Sequence, residues 1–333
     1  GQTIMNGITQ IINDPKTIIM LTAIIFGTYY ASKLGYAHIK QQMERPQVIE
    51  ETSLYSGLEK LKNFVITPPP LKAQDIDEIV ASPEIKQKIN ELATILKTAR
   101  QTNETMPNIL FYGPPGTGKT LTARALAAQS GLDYVMFSGT SLTKLERGKD
   151  RAELDKIFAF AKKSPKGVLV FIDEAESFLG NRENTTTSEQ SRELTQAFLE
   201  KVPKPSDKNI VFVFATNRRN ILDSAVESRI SEVVHMPYPT DREKLQLMEL
   251  FIKKEVVNAG VPIEEGFTQR KQELIDLMDK KFVGRTIEEM TQKFRRKVRL
   301  GRHVSLSYEI ARGVIEETNK KLVSQRKRAS SLS

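Results

Sequence analysis

Eight consecutive residues, Gly113-Pro114-Pro115-Gly116-Thr117-Gly118-Lys119-Thr120, follow the spacing GxxxxGK[ST]. The glycines let main-chain N–H groups turn inward and cradle phosphate oxygens. Lys119 can reach β- and γ-phosphates, and the Thr120 hydroxyl can coordinate Mg²⁺. The run NILFY enters the loop and LTARALAAQ leaves it, so a helix start would aim its positive end at the anion. A second group is Val168-Leu169-Val170-Phe171-Ile172-Asp173-Glu174, a fully apolar run that ends in two carboxylates. At the carboxyl end of a sheet strand, Asp173 would hold the Mg²⁺ shell and Glu174 would polarise the attacking water. A strand ending in Asp-Glu is commonplace by itself; its force comes from following the phosphate-binding loop by one strand–helix unit. Asn217, just after the run Ile210–Thr216, can hold the lytic water or sense the γ-phosphate, or can simply form a turn.

The elements that must position these groups are readable from apolar patterning. Short apolar runs at Asn108–Tyr112, Tyr134–Phe137, Val168–Ile172, Ile210–Ala215 and Val233–Met236 read as buried strands. They alternate with amphipathic stretches such as Ala152–Lys163 and Arg192–Lys201, which predicts an α/β domain over 71–238 with a parallel sheet and helices on both faces. After Pro239 the strands stop. Residues 241–259, 269–281, 286–299 and 306–323 read as helices, giving a small all-helical lid over 239–323. A basic, then Ser-rich tail over 324–333 is expected to be disordered.

Upstream, residues 17–32 are uncharged and mostly apolar, bounded by Lys16 and Lys33. As a helix this stretch spans about 24 Å against a hydrocarbon core of about 30 Å. Lys16 and Lys33 can snorkel, and Tyr29, Tyr30 and Tyr36 suit the interface, so a membrane helix is expected. The alternatives are a buried soluble helix or a signal-peptide core. Against the latter, the preceding residues hold Asp14 and no basic cluster. Ile4, Ile8, Ile11 and Ile12 lie at helical spacing, consistent with an amphipathic segment over 1–16. Residues 33–70 read as a juxtamembrane helix and connector, broken by Thr67-Pro68-Pro69-Pro70.

Composition narrows the chemistry further. The chain has 333 residues, no Cys, no Trp, three His and a formal net charge of +9. Disulfides, thiolate metal sites and Cys nucleophiles are excluded, and His38, His235 and His303 are too scattered for a local His-pair metal motif. A hydrophobic fraction of 39% is enough for a real core. The basic balance admits anionic partners without choosing among nucleotides, nucleic acid and acidic lipid. The first residue is Gly rather than Met, which fits a processed chain or a fragment.

With these motifs in order, residues 75 to 323 resemble the AAA+ ATPases. The resemblance implies the P-loop AAA+ fold, ATP and Mg²⁺ as ligands, ATP hydrolysis and assembly into a hexameric ring. The stretch Asp223–Ile230 (DSAVESRI) is similar to the segment that presents the family's arginine finger, which puts that role on Arg229, acting on a neighbouring subunit's γ-phosphate. Many members carry a second Arg three residues earlier, where this chain has Val226. Gly284-Arg285 matches the place of a second nucleotide sensor, although Arg285 could equally cap a helix.

A closer resemblance is to the mitochondrial ATPase family AAA domain-containing protein 3 group. It is carried by Arg45-Pro46-Gln47-Val48-Ile49-Glu50-Glu51-Thr52-Ser53, by Ser130-Gly131-Leu132-Asp133-Tyr134 and by Arg229-Ile230-Ser231-Glu232-Val233-Val234-His235. It implies a membrane helix plus the ATPase half of a longer protein, at the mitochondrial inner membrane with the ATPase in the matrix, organising membrane and nucleoid. A related bacterial inner-membrane ATPase facing the cytoplasm would share these motifs.

Two departures bear on mechanism. Threading machines of this family present an aromatic–hydrophobic–glycine loop; the equivalent here is Leu145-Glu146-Arg147-Gly148, with Glu146 in the aromatic position. A carboxylate cannot grip a chain by stacking, which argues against conventional polypeptide threading and leaves a protein client open. Lys293, Arg295, Arg296, Lys297, Arg299 and Arg302 form a basic cluster, read either as a solvated lid face or as a contact for anionic lipid or nucleic acid. Aromatic interleaving is limited to Phe294, so support for nucleic acid is weak. Two further readings compete with a membrane-anchored ATPase: a nucleotide-gated scaffold with negligible turnover, and a soluble chaperone-like ATPase.

Overall fold

The computed structural model describes residues 46–54, 79–181, 189–202, 207–301 and 304–330. The stretch 17–32 expected as a membrane helix, and the segment 1–16 before it, lie outside the described residues. Among the described residues no helix is long and apolar enough to cross a membrane.

In chain order the elements up to the end of the sheet are β1 (Ile49–Thr52), α1 (Pro83–Thr102), β2 (Ile109–Tyr112), α2 (Lys119–Ser130), β3 (Asp133–Ser138), α3 (Gly139–Thr143), α4 (Lys149–Ala161), β4 (Val168–Asp173), α5 (Glu176–Leu179), α6 (Glu189–Lys201), β5 (Ile210–Thr216), α7 (Ser224–Glu227) and β6 (Glu232–His235). The six strands are ordered β1-β3-β4-β5-β2-β6. All neighbours run parallel except β1, which is antiparallel to β3.

β4 and β5 are apolar almost throughout because side chains alternate between two covered faces. Val170, Ile172, Phe212 and Phe214 face one way, against Leu154 and Phe158 of α4 and Leu194 and Phe198 of α6. Phe198 anchors that layer, meeting Phe158, Phe178, Phe212 and Phe214 edge-on at 5.5–6.0 Å between centroids. Leu169, Phe171, Val211 and Val213 face the other way, against Leu92 and Leu96 of α1 and Ala123 and Leu126 of α2. Each buried side chain of this size contributes about 1.5–3 kcal/mol, so the sheet is fixed in both faces and its register follows.

That register places the site. Tyr112 pairs with Thr216, and Ser138 pairs with Asp173. The carboxyl ends of β2, β3, β4 and β5 therefore lie side by side at one edge of the sheet.

The stretch expected as connector departs from that reading at residues 49–52, which form β1 on the sheet border. Its pairing runs Ile49 with Phe137, Glu51 with Met136 and Thr52 with Val135, with a bulge between Ile49 and Glu51. Val48 and Ile49 are buried beside Phe137, and this burial is what draws the segment onto the sheet.

The lid consists of α8 (Asp241–Glu255), α9 (Glu265–Gln269), α10 (Lys271–Asp276), α11 (Gly284–Leu300) and α12 (Tyr308–Ser330). α8 opens with a reciprocal Thr240/Glu243 capping box. Phe267, Leu274, Phe282, Phe294 and Ile315 form a separate core. The helix expected over 269–281 is shorter, Lys271–Asp276, and a second short helix, Glu265–Gln269, precedes it, the two separated at Arg270, whose guanidinium sits 3.5 Å from the Tyr308 ring centroid. α12 continues to Ser330 rather than ending at 323, and Arg326 pairs with Asp279 across the lid, so the tail is helical to that point.

Candidate functional site

The loop between β2 and α2 is held by close packing as well as by backbone freedom. Gly113 has φ +150°, and a Cβ there would meet the Met236 carbonyl oxygen at 2.0 Å. Gly116, at φ +82°, would meet Val283 at 2.9 Å and the Arg285 Cβ at 3.1 Å, so its bare backbone lets the start of α11 come close. α2 then begins at Lys119 behind Gly118, with no acidic residue in its first turn.

Lys119 is 7% exposed. Its Nζ donates to the carbonyl oxygens of Gly113 at 2.7 Å and Pro114 at 2.9 Å, and to Asn217 Oδ1 at 3.2 Å. Burial holds the ammonium below the usual lysine range; Asp173 and Glu176 oppose that shift and Arg285 adds to it. Thr120 Oγ1 donates to Asp173 Oδ2 at 3.3 Å. These two hard oxygens fit a Mg²⁺ shell completed by phosphate and water. No cluster of three or more His, Cys, Asp or Glu suited to a metal occurs among the described residues.

Glu174 adopts φ +48°, a left-handed conformation that costs a non-glycine residue about 1–2 kcal/mol. Strain of this kind is kept where the surroundings enforce a geometry. Here Glu174 Oε2 accepts from Ser138 Oγ at 3.2 Å and from Thr140 Oγ1 at 2.5 Å. The carboxylate is thus held at the end of β3 and the start of α3.

Residues 115–120 of the phosphate loop, Asp173, Glu174, Asn217 and Arg285 line one cleft of about 700 Å³ between the sheet edge and the lid, while Gly113 and Pro114 lie behind it and hold Lys119 by their carbonyls. Arg285 is exposed at the start of α11. Arg229 does not reach this cleft. Its guanidinium donates to the carbonyl oxygens of Val202 at 3.2 Å, Ala225 at 2.8 Å and Leu199 at 3.4 Å, which caps the end of α6. A cation at a helix C-terminus is favoured by the exposed carbonyls there.

Several lining groups carry no signal in the sequence. Ile79, Val80 and Ala81 precede α1, and Leu247, Leu250 and Phe251 of α8 supply an apolar wall. Apolar residues before a Ser-Pro helix start, or on an amphipathic helix, read as ordinary packing. Glu176 is a third carboxylate near Lys119; its Oε1 accepts from the Asn217 N–H at 3.5 Å, and its Oε2 is buried without a hydrogen-bond partner. Arg124 also lines the cleft, one turn along α2 from Thr120. Ser138 and Thr140 became legible as Glu174 partners only once β3 lay beside β4.

The loop read against the threading pattern is tied down by charge. Arg147 pairs with Glu189 at 3.3 Å and with Glu193, and Glu146 pairs with Lys149 at 2.7 Å. Most of the basic cluster on α11 is likewise engaged within the lid. Lys293 and Lys297 pair with Glu317, Arg295 with Glu255, and Arg299 donates to the Ala259 carbonyl. This favours the solvated-face reading over a nucleic-acid contact.

Residues 109–238 match the family model described as "ATPase family associated with various cellular activities (AAA)". Those residues therefore carry an AAA domain. The chain is similar to ATPase family AAA domain-containing protein 3 of Caenorhabditis elegans, at 33% identity over 77% of this chain and 44% of that protein. It is also similar to ATPase family AAA domain-containing protein 3A of Homo sapiens, at 32% identity over 75% of this chain and 43% of that protein. Protein 3 of Xenopus tropicalis is 33% identical over 75% of the chain and 42% of its own length. The chain thus spans less than half the length of these curated relatives. An AAA domain implies nucleotide binding, and the glycine-rich cradle, the Thr120–Asp173 oxygen pair and the adjoining cleft fit a magnesium nucleotide.

Proposed function

We propose that this AAA protein binds ATP with Mg²⁺ in the cleft between sheet edge and lid, and hydrolyses it at the interfaces of a hexameric assembly anchored to a membrane. The observation that carries the reading is the convergence of Lys119, Thr120, Asp173, Glu174 and Asn217 at one sheet edge beside a glycine cradle. Bound Mg²⁺ would neutralise phosphate charge and fix the phosphate geometry, with Thr120 and Asp173 as its protein oxygens. Lys119 would exchange its contacts with the Gly113 and Pro114 carbonyls for phosphate oxygens. Glu174 would orient the attacking water and take up its proton, and Asn217 would hold that water in line. Arg285 would contact the phosphates from the lid. Arg229 would leave its carbonyls to act on the adjoining subunit.

The uncharged stretch 17–32 and the likeness to ATPase family AAA domain-containing protein 3 support a place at the mitochondrial inner membrane, where conformational work on membrane organisation is the role proposed. Glu174→Gln should retain ATP while turnover falls about 10²- to 10⁴-fold, measured as steady-state phosphate release beside nucleotide titration. Unchanged turnover would remove Glu174 from its role. A second reading, a nucleotide-gated scaffold with negligible turnover, is favoured by the capture of Arg229 on its own subunit's carbonyls. It predicts that the unaltered assembly itself releases almost no phosphate.

A further inference from the structure

We infer that β1 responds to the state of the nucleotide cleft, with Glu51 as the positioning residue acting through Arg124, an inference that rests on the cleft being the ATP site. In a regular strand Ile49 and Glu51 would share a face. The bulge between them breaks that alternation: Ile49 lies opposite Phe137, on the α4/α6 face, whereas Glu51 lies opposite Met136, on the α1/α2 face. One extra residue therefore re-aims a carboxylate from one side of the sheet to the other, a known use of bulges beside functional sites. What Glu51 meets there is Arg124, whose Nε donates to Glu51 Oε2 at 2.8 Å. The pair is only partly exposed, at 35% for Arg124 and 22% for Glu51, so solvent screens it incompletely. Arg124 follows Thr120 by four residues, which places both on the same face of α2, and it lines the cleft.

The neighbouring carboxylate reaches the other arm of the site. Glu50 accepts from Ser141 Oγ at 3.3 Å on α3, the helix whose Thr140 holds Glu174. Two adjacent residues of one short strand thus touch both the helix that receives the phosphates and the helix that restrains the water-orienting carboxylate. The strand is pinned along its length. Glu153, 4% exposed on α4, accepts from the main-chain N–H groups of Gln47 and Val48, and Thr52 Oγ1 donates to the Tyr134 carbonyl at 2.9 Å. A shift of α2 or α3 on nucleotide binding would therefore be felt along residues 47–54.

Hydrogen–deuterium exchange of the full chain, with and without a non-hydrolysable ATP analogue and Mg²⁺, tests this. Amides of residues 47–54 should exchange at least threefold more slowly with the analogue. In Glu51→Gln, and independently in Arg124→Gln, that slowing should be lost, and the double variant should lose no more than either single one, because both break the same contact. A purely structural pair would change the exchange of 47–54 without changing its response to nucleotide. The inference fails if titration shows analogue binding while exchange in 47–54 is unmoved, or if Glu51→Gln keeps the full response. If the analogue does not bind the unaltered protein, it is the nucleotide reading of the cleft that fails.

Discussion

Two helices of this protein begin behind a glycine in the left-handed region, and they are finished in opposite ways. α2 starts after Gly118 at φ +93°, and α4 after Gly148 at φ +88°, neither with a side-chain cap. In α4 the first turn supplies its own anion. Asp150, 4% exposed, accepts from the N–H groups of Gly148 at 2.9 Å and Arg151 at 2.7 Å, and Gln190 donates to its second oxygen at 2.8 Å. The first turn of α2 has no acidic residue, and a buried lysine waits beside it on main-chain carbonyls. The same local geometry therefore gives a helix start closed by its own carboxylate in one place and a helix start without one in the other. What separates them is one carboxylate and the packing around the loop, not the glycine.

This contrast can be broken at the α2 end first. Gly113→Ala would drive a methyl group into the Met236 carbonyl, so nucleotide binding should be abolished and stability should fall by about 2 kcal/mol or more, read by titration and denaturant unfolding. Lys119→Ala should leave the fold intact but weaken ATP about 10- to 100-fold, the value of one or two charge-assisted hydrogen bonds; affinity within threefold of the parent would refute the open-anion view. At the α4 end the effects should be structural only. Asp150→Ala should cost about 1–3 kcal/mol by leaving helix N–H groups unpaired, with ATP affinity unchanged. The smallest effect should come from Arg147→Ala, which releases exposed pairs to Glu189 and Glu193 and should lower the melting temperature by about a few degrees at most. The hydrogen bond from Arg147 holds the Glu193 carboxyl below its ordinary range. A depressed folded value stabilises above the unfolded carboxyl pKa of about 4.3, and that contribution disappears as pH falls through the folded value. The gap between parent and Arg147→Ala melting curves should therefore be present at pH 7 and close as the pH falls below the ordinary carboxyl range.

What could be read in the residue order follows the range of the physics behind it. The phosphate loop, the five parallel strands and Asp173 are spelled by spacings of a few residues, and the structure places them together. The lid was legible as helices because α8 and α11 each bury a regular stripe. β1 was not, since four residues rich in glutamate gain their place only by docking Val48 and Ile49 against Phe137. The break at Arg270 was also invisible, because Tyr308, which holds it, comes 38 residues later. Arg229 shows the deepest limit. The likeness of DSAVESRI to the family's finger segment implies a role across a subunit boundary, while the observed partners of Arg229 are carbonyls of its own chain, at Ala225 and some 30 residues earlier.

The sheet is bordered on both sides by strands of only four residues, β1 and β6. Each carries charge at the rim: Glu50 is exposed on the bulged β1, and Glu232 of β6 is bridged by Lys88 at 2.8 Å. Short, kinked and charged borders make poor templates for edge-to-edge pairing between copies, the route by which open sheets aggregate. Protomers crowded together on a surface would thus be steered away from fibrous stacking and left to meet through helices and loops.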